Sequence, residues 1–137
     1  MGGLDILVNN AATNPYAGKT INVDRARWDK TFETNLTAPM CWTQRVWNRW
    51  MKENGGAIVN MMADIWTGFP GMAHMAAARA GIGNLCITLS MEWAASNVRV
   101  NAVAPGIIDT PGVQEQMAPL RAGGIDIDRR IAANPVG

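Results

Sequence analysis

"LDILVNN" (residues 4–10) is the stretch on which the fold reading turns. Leu4, Ile6, Leu7 and Val8 form a run too short for a helix, held between Gly2-Gly3 and Asn9-Asn10. That is the pattern of a strand buried on both faces of a parallel sheet. Two further runs have the same character: "AIVNMM" (57–62) and "VRVNAVAPG" (98–106), the second closing in a Pro-Gly turn. Helical patterns separate them. One runs from Asp24 to Glu53, with Asp24 as N-cap and "NGG" (54–56) as stop signal; the other is Ala-rich and runs from about Met72 to Ala95. Strand, helix, strand, helix, strand predicts an α/β fold with right-handed parallel crossovers, whose ligands bind beyond the carboxyl ends of the strands. From residue 107 onward the pattern is less regular, with two short helices expected on either side of Gly123-Gly124.

Length and composition bound the answer. The 137 residues, 48% apolar and 17% charged, suit one globular core. A net charge of +1, from 12 basic and 11 acidic residues spread along the chain, gives no footprint for nucleic acid or an anionic membrane. Cys41 and Cys86 lie far apart in helical segments, which excludes a disulfide framework and metal-ligand spacing; both are expected to be buried free thiols, with no metal bound. No apolar run reaches membrane-spanning length and the N-terminus lacks a signal-peptide pattern, so a cytoplasmic protein is expected.

The order of motifs resembles the short-chain dehydrogenase/reductase family. The matching pieces are "LVNNAA" (7–12), "WDKTFETNLTAP" (28–39), "GAIVNM" (56–61), "AARAGIGNL" (77–85) and "EWAASNVRVNAVAPGIIDT" (92–110), in the family's order and at its spacing. Within the family, "GFPGMAHMAAARAG" with "NPYAG" most resembles the branch containing trans-2-enoyl-CoA and dienoyl-CoA reductases. The resemblance implies a single partial Rossmann-like domain over residues 1–137, with three strands corresponding to strands four to six of the family's seven. It would lack the glycine-rich turn that holds the cofactor pyrophosphate and the last strand; "ANPVG" (133–137) resembles the stretch just before that strand. Such a chain is expected to leave one sheet face bare and both sheet edges open, and so to associate.

The resemblance also assigns a site. Asn35, in "TNLTAP", matches the asparagine that anchors a proton-relay water. Met62 stands where the family has a serine that hydrogen-bonds the substrate oxygen, and Met75 where it has the tyrosine that acts as general acid. A thioether has no proton to give. Arg79 replaces the lysine that lowers the tyrosine pKa and grips the ribose; it keeps the charge without the geometry. The alternative for Arg79 is a solvated helix cation. Tyr16, Asp64 and His74 are the other polar groups near these positions, each also readable as an ordinary loop or surface residue, with His74 pointing about 100° around the helix from Met75. For the cofactor, NAD or NADP, the resemblance implies contacts from Asn9, Asn10, Ala11 and Ala12 near the adenosine ribose, from Arg79, and from Pro105, Gly106, Ile108 and Thr110 beside the carboxamide.

The function so implied is NAD(P)-dependent reduction of a small-molecule carbonyl or enoyl thioester by hydride transfer, catalytically incomplete in this chain. An enoyl reductase tolerates loss of the tyrosine better, because its proton can come from water. The alternative is a non-catalytic module that pairs with an intact subunit. Both readings place a subunit interface, a homo-oligomeric one in the first case, on the helices over 24–53 and 72–95. Trp42, Trp47 and Trp50 give the first of these helices a partly aromatic face, suited equally to an interface or to a core.

Overall fold

The computed structural model describes residues 2–132. The three apolar runs become strands β1 (Ile6–Asn9), β2 (Gly56–Met61) and β3 (Val98–Val103), all parallel and in the order β1-β2-β3. β3 ends at Val103, with only Ala104 between it and the Pro-Gly turn, and Pro105 has no N–H to extend the ladder. Alternation along the strands turns Leu7, Asn9, Ile58, Asn60, Val98 and Val100 toward the helices. The opposite parity is open: Ile6 and Val8 are 62% and 56% exposed. Burial of β1 on both faces is therefore corrected, since the helices cover a single face of the sheet.

Between β1 and β2 the helical pattern is segmented into α1 (Arg25–Phe32), α2 (Ala38–Val46) and the short α3 (Lys52–Asn54), joined by π-helical turns at Glu33–Thr37 and Trp47–Met51. Asp24 caps α1 as expected, its carboxylate accepting from the Arg27 N–H at 2.8 Å. Pro39 explains the first π-turn: it has no N–H to close a regular helical bond on the Asn35 carbonyl, and the ladder widens so that the Ala38 N–H reaches Glu33. Gly55 stops α3 at φ +74°, where a Cβ would meet the Asn97 carbonyl at 3.0 Å.

The Ala-rich segment forms α4 (Ala73–Glu92), followed by one 3₁₀ turn. His74, Ala78, Ile82, Cys86, Leu89 and Trp93 recur at three- and four-residue intervals and are all buried. Of these, Ile82, Cys86, Leu89 and Trp93 close a core with Val46, Met51, Ile58 and Val98, in which Trp47 stacks on Trp93 at 4.2 Å between ring centroids. Trp50 donates from its indole to Asp5 at 3.1 Å, whereas Trp42 is 58% exposed. The aromatic face thus divides into two packed residues and one open one. Cys86 is buried, but Cys41 is exposed, which corrects the expectation of two buried thiols. Helices α5 (Pro111–Ala122) and α6 (Ile127–Ala132) flank Gly123-Gly124 as expected and build a second core from Phe69, Met72, Met117, Leu120 and Ile127. The stretch "ANPVG" lies outside the described residues.

A buried chain of polar side chains crosses the main core. Asn9 donates to Thr43 of α2 at 3.1 Å and to Asn60 of β2 at 2.8 Å. Asn60 donates to the Cys86 sulfur at 3.2 Å, and that thiol faces the Asn101 carbonyl of β3 at 3.7 Å. Asn9 and Asn60 are register partners, so the amide pair exists in one alignment of β1 on β2 only. Asn60→Ala deprives both Asn9 and Cys86 of a partner inside the core. We expect it to cost about 1–3 kcal/mol, seen as a lower urea midpoint at unchanged slope.

Candidate functional site

Where the three strands end, the loops after them and the first turns of α4 and α5 enclose a pocket of about 390 Å³. Its position beyond the carboxyl ends of a parallel sheet is where such folds bind ligands, and its size falls within the range for small-molecule sites. Asn35, Met62, Met75 and Arg79, widely separated in sequence, all line it. So do Ala12, Gly106 and Ile108 from the cofactor set. Asn10 and Ala11 face a separate, smaller cleft beside Trp42. The Asn9 side chain is turned into the core polar chain described above. Thr110 caps α5 by accepting from the Val113 N–H at 3.3 Å, and the Pro105 carbonyl accepts from the Asp64 N–H at 2.9 Å.

Asn35 sits in the π-turn, fully buried, and clamps the loop after β1. Its side-chain oxygen accepts from the Thr13 N–H at 2.8 Å and its amide donates to the Thr13 carbonyl, also at 2.8 Å. Both ends of the amide are engaged, so the side chain holds the pocket wall. The loop bears Asn14, whose amide contacts the Met72 sulfur at 2.6 Å and whose buried Oδ1 has no hydrogen-bond partner among the described residues.

Met75 and Arg79 lie one helical turn apart on α4 and face the same pocket, and Met62 packs its methyl close to Gly83. The pocket is consequently rich in sulfur: Met62, Met72, Met75 and Met117 all contribute. Arg79 is 6% exposed, which excludes the solvated-cation reading. It donates to the Met61 carbonyl at the end of β2. Among the described residues no carboxylate pairs with it, and burial pushes its pKa down from the usual guanidinium value.

The other polar candidates stand outside this pocket. The Tyr16 hydroxyl donates to the Lys19 carbonyl at 3.0 Å, and the Arg27 guanidinium lies 5.5 Å from the ring centroid. Asp64 is exposed. His74 is fully buried, edge-on to Tyr16 at 6.0 Å, and neither ring nitrogen has a hydrogen-bond partner among the described residues. Sequence reasoning missed the free Asn14 oxygen and the Thr13 clamp; the one available signal was Pro39 four residues after Asn35, which marks a broken helix turn. Among the described residues no cluster of His, Cys, Asp or Glu could hold a metal, and no helix is long and apolar enough to cross a membrane.

Two outcomes follow from this geometry. Asn35→Ala leaves the Thr13 N–H and carbonyl without these partners and should cost about 1–3 kcal/mol, with faster amide exchange at Thr13; Asn35→Asp, which keeps the acceptor alone, should restore only the amide protection. Burial pushes the His74 pKa below its ordinary 6.5, so the unfolded chain binds a proton that the folded one refuses. The His74 contribution is therefore constant above about pH 6.5 and erodes as pH falls below it, until the lower folded value is reached. Unfolding titrations of the protein and of His74→Phe should diverge in slope only in that acidic window.

The family model described as enoyl-(acyl carrier protein) reductase matches residues 1–124. Dehydrogenase/reductase SDR family member 4 of Homo sapiens is 38% identical over 110 residues, covering 80% of this chain and 40% of the relative. Among solved structures, the citronellol catabolism dehydrogenase AtuB of Pseudomonas aeruginosa PAO1 superposes with a TM-score of 0.74 at 39% identity, covering 87% of this chain and 48% of that one. A 4-hydroxyisoleucine dehydrogenase mutant complexed with NADH and succinate gives a TM-score of 0.77 at 27% identity, over 88% and 50% of the two chains. The chain thus spans half or less of the length of these relatives. With the family model matched over residues 1–124 and the fold in agreement with these structures, the chain belongs to the short-chain dehydrogenase/reductase family.

Proposed function

We propose that this chain forms the substrate and nicotinamide side of an NAD(P)-dependent oxidoreductase acting on a small-molecule carbonyl or enoyl thioester, as a partial Rossmann-like domain. The observation that carries the reading is the convergence of Asn35, Met62, Met75 and Arg79 on one pocket at the strand ends. The residues present fit the nicotinamide half of the cofactor: Ala12 and Gly106 leave room in the lining, and the unpartnered Asn14 oxygen can accept from a carboxamide. When bound, the nicotinamide supplies or takes up the hydride. The chain's own part is to position and to exclude water. Asn35 fixes the loop, the four thioethers keep the pocket apolar, and Arg79 provides its cation.

By the resemblance, the places of the family's serine and tyrosine hold Met62 and Met75, both in the pocket lining, and neither thioether can donate a proton. Reduction of a ketone is accordingly crippled, and reduction of an enoyl carbon, protonated from water, less so. A second reading, an interaction module that pairs with another subunit of the family, is favoured by the apolar residues left open on the two long helical segments: Trp42 on α2, and Ile87 and Met91 on α4, at 60% and 69% exposure.

Titration with NADH or NADPH should quench tryptophan emission. No quenching, together with a stable complex with an intact family member, would favour the module. Met62→Ser, Met75→Tyr and Arg79→Lys together should raise ketone reduction by about two orders of magnitude or more in the cofactor-binding form. An unchanged rate would overturn the assignment of the three positions.

A further inference from the structure

Of the three buried side-chain atoms without a hydrogen-bond partner among the described residues, two are the ring nitrogens of His74. A neutral imidazole has one N–H donor and one acceptor, and a buried group with both unmatched needs a physical reason. The ring sits on the first turn of α4, and the segment after β1 covers it: Tyr16 stands edge-on at 6.0 Å between ring centroids. That segment is folded on itself. The Tyr16 hydroxyl donates to the Lys19 carbonyl, and Gly18 lies so close to the phenol that a Cβ there would meet the hydroxyl at 2.7 Å. Its ties to the body of the protein are few. Asn35 holds Thr13, the Gln116 amide donates to the Asn14 carbonyl at 3.3 Å, Ala17 packs on the second core, and the Gly18 N–H donates to the Gly71 carbonyl at 2.9 Å.

An imidazolium in this place has nothing to stabilise it. Among the described residues no carboxylate forms an ion pair with His74. The charged groups on the elements around it are Lys19 on the covering segment, Arg27 and Asp24 paired at the start of α1, the exposed Glu33 in the turn that follows, and Arg79 on α4 itself. Tyr16, in ring contact, is the other titratable neighbour. Burial alone shifts the His74 pKa, downward from 6.5. A proton taken up here draws the ring toward water. Because α4 is anchored in the main core through Ile82, Cys86 and Leu89, the loosely tied segment over the ring is what gives way.

We propose that residues 15–19 form an acid-opened flap over His74. When the imidazole takes up a proton, the flap lifts between the Asn35 clamp at Thr13 and the helix cap at Asp24. The Gly18–Gly71 bond breaks, the ring is hydrated, and the Asn14 wall of the strand-end pocket loosens. The device governs access to that pocket and is independent of any hydride transfer in it. Opening binds a proton, so it is insensitive to pH above about 6.5. Below that, the ratio of open to closed flap rises about tenfold per pH unit until the lower closed-state value is passed.

His74 is the chain's single histidine, so its ring resonances follow the titration without ambiguity. Amide exchange of Gly18, measured by NMR across the same acid range and corrected for intrinsic exchange, should show that tenfold rise per pH unit and depend little on urea. The amides of β2 should be better protected and follow the full urea slope of global unfolding. His74→Phe should make the Gly18 opening ratio independent of pH. Tyr16→Ala, a change on the half-buried flap, serves if phenylalanine disturbs the packing of α4: it should leave the flap open at neutral pH and return the His74 titration to about 6.5. A pH-independent Gly18 opening in the unaltered protein, its pH dependence surviving in His74→Phe, or a His74 titration unmoved by Tyr16→Ala would overturn the proposal. So would Gly18 sharing the protection and urea slope of β2, since only global unfolding would then expose the ring.

Discussion

The amide of Asn9 touching that of Asn60 is the contact on which the rest of the arrangement depends. Two neighbouring parallel strands, each only a few residues long, have little in their backbone bonds to select one register over another. A donor and an acceptor matched inside the core change that, because slipping β1 by one residue would bury Val8 against Asn60 and push Asn9 to the open face. The same amides reach α2 through Thr43 and α4 through Cys86. One buried chain thereby fixes four elements, β1, β2, α2 and α4, relative to each other, and a misaligned alternative would leave several polar atoms unpaired in a low-dielectric interior. Burial also pushes the Cys86 thiol pKa up, so it behaves as a quiet packing group and not as a nucleophile.

Once β1 and β2 are aligned, the pocket follows from what their ends carry. β1 delivers the loop that Asn35 clamps, β2 delivers Met62 and the Met61 carbonyl that receives Arg79, and α4 returns over β2 and β3. The helix defect at Pro39 is part of this construction. A regular helix would thread through residues 33–37 without the widened turn from which Asn35 reaches Thr13. A local loss of helical hydrogen bonding is thus exchanged for a long-range clamp between a helix and a loop.

The site that results is apolar and positively charged at one point. Four sulfurs stand around it, from Met62, Met72, Met75 and Met117, and among the described residues the Arg79 guanidinium has no carboxylate partner. Thioethers have no proton to give, so what these side chains supply is shape and an apolar surface beside one fixed charge.

The amino-acid sequence by itself determined the α/β class, the three strands, the Asp24 cap, the Gly55 stop and the family, because each rests on local pattern or on residue types at fixed spacing. It also placed Asn35, Met62, Met75 and Arg79 as a set, through motif order. Tertiary structure alone decided what each of these does. Whether Arg79 is a solvated cation or a buried one depends on what packs over α4, and whether Asn9 faces a ligand or the core depends on the parity of β1 once a register is chosen. The openness of Ile6 and Val8, the exposure of Cys41 and the isolation of His74 and Asn14 have the same origin. Burial and hydrogen-bond satisfaction are properties of the neighbours that folding brings together, and those neighbours are distant in the chain.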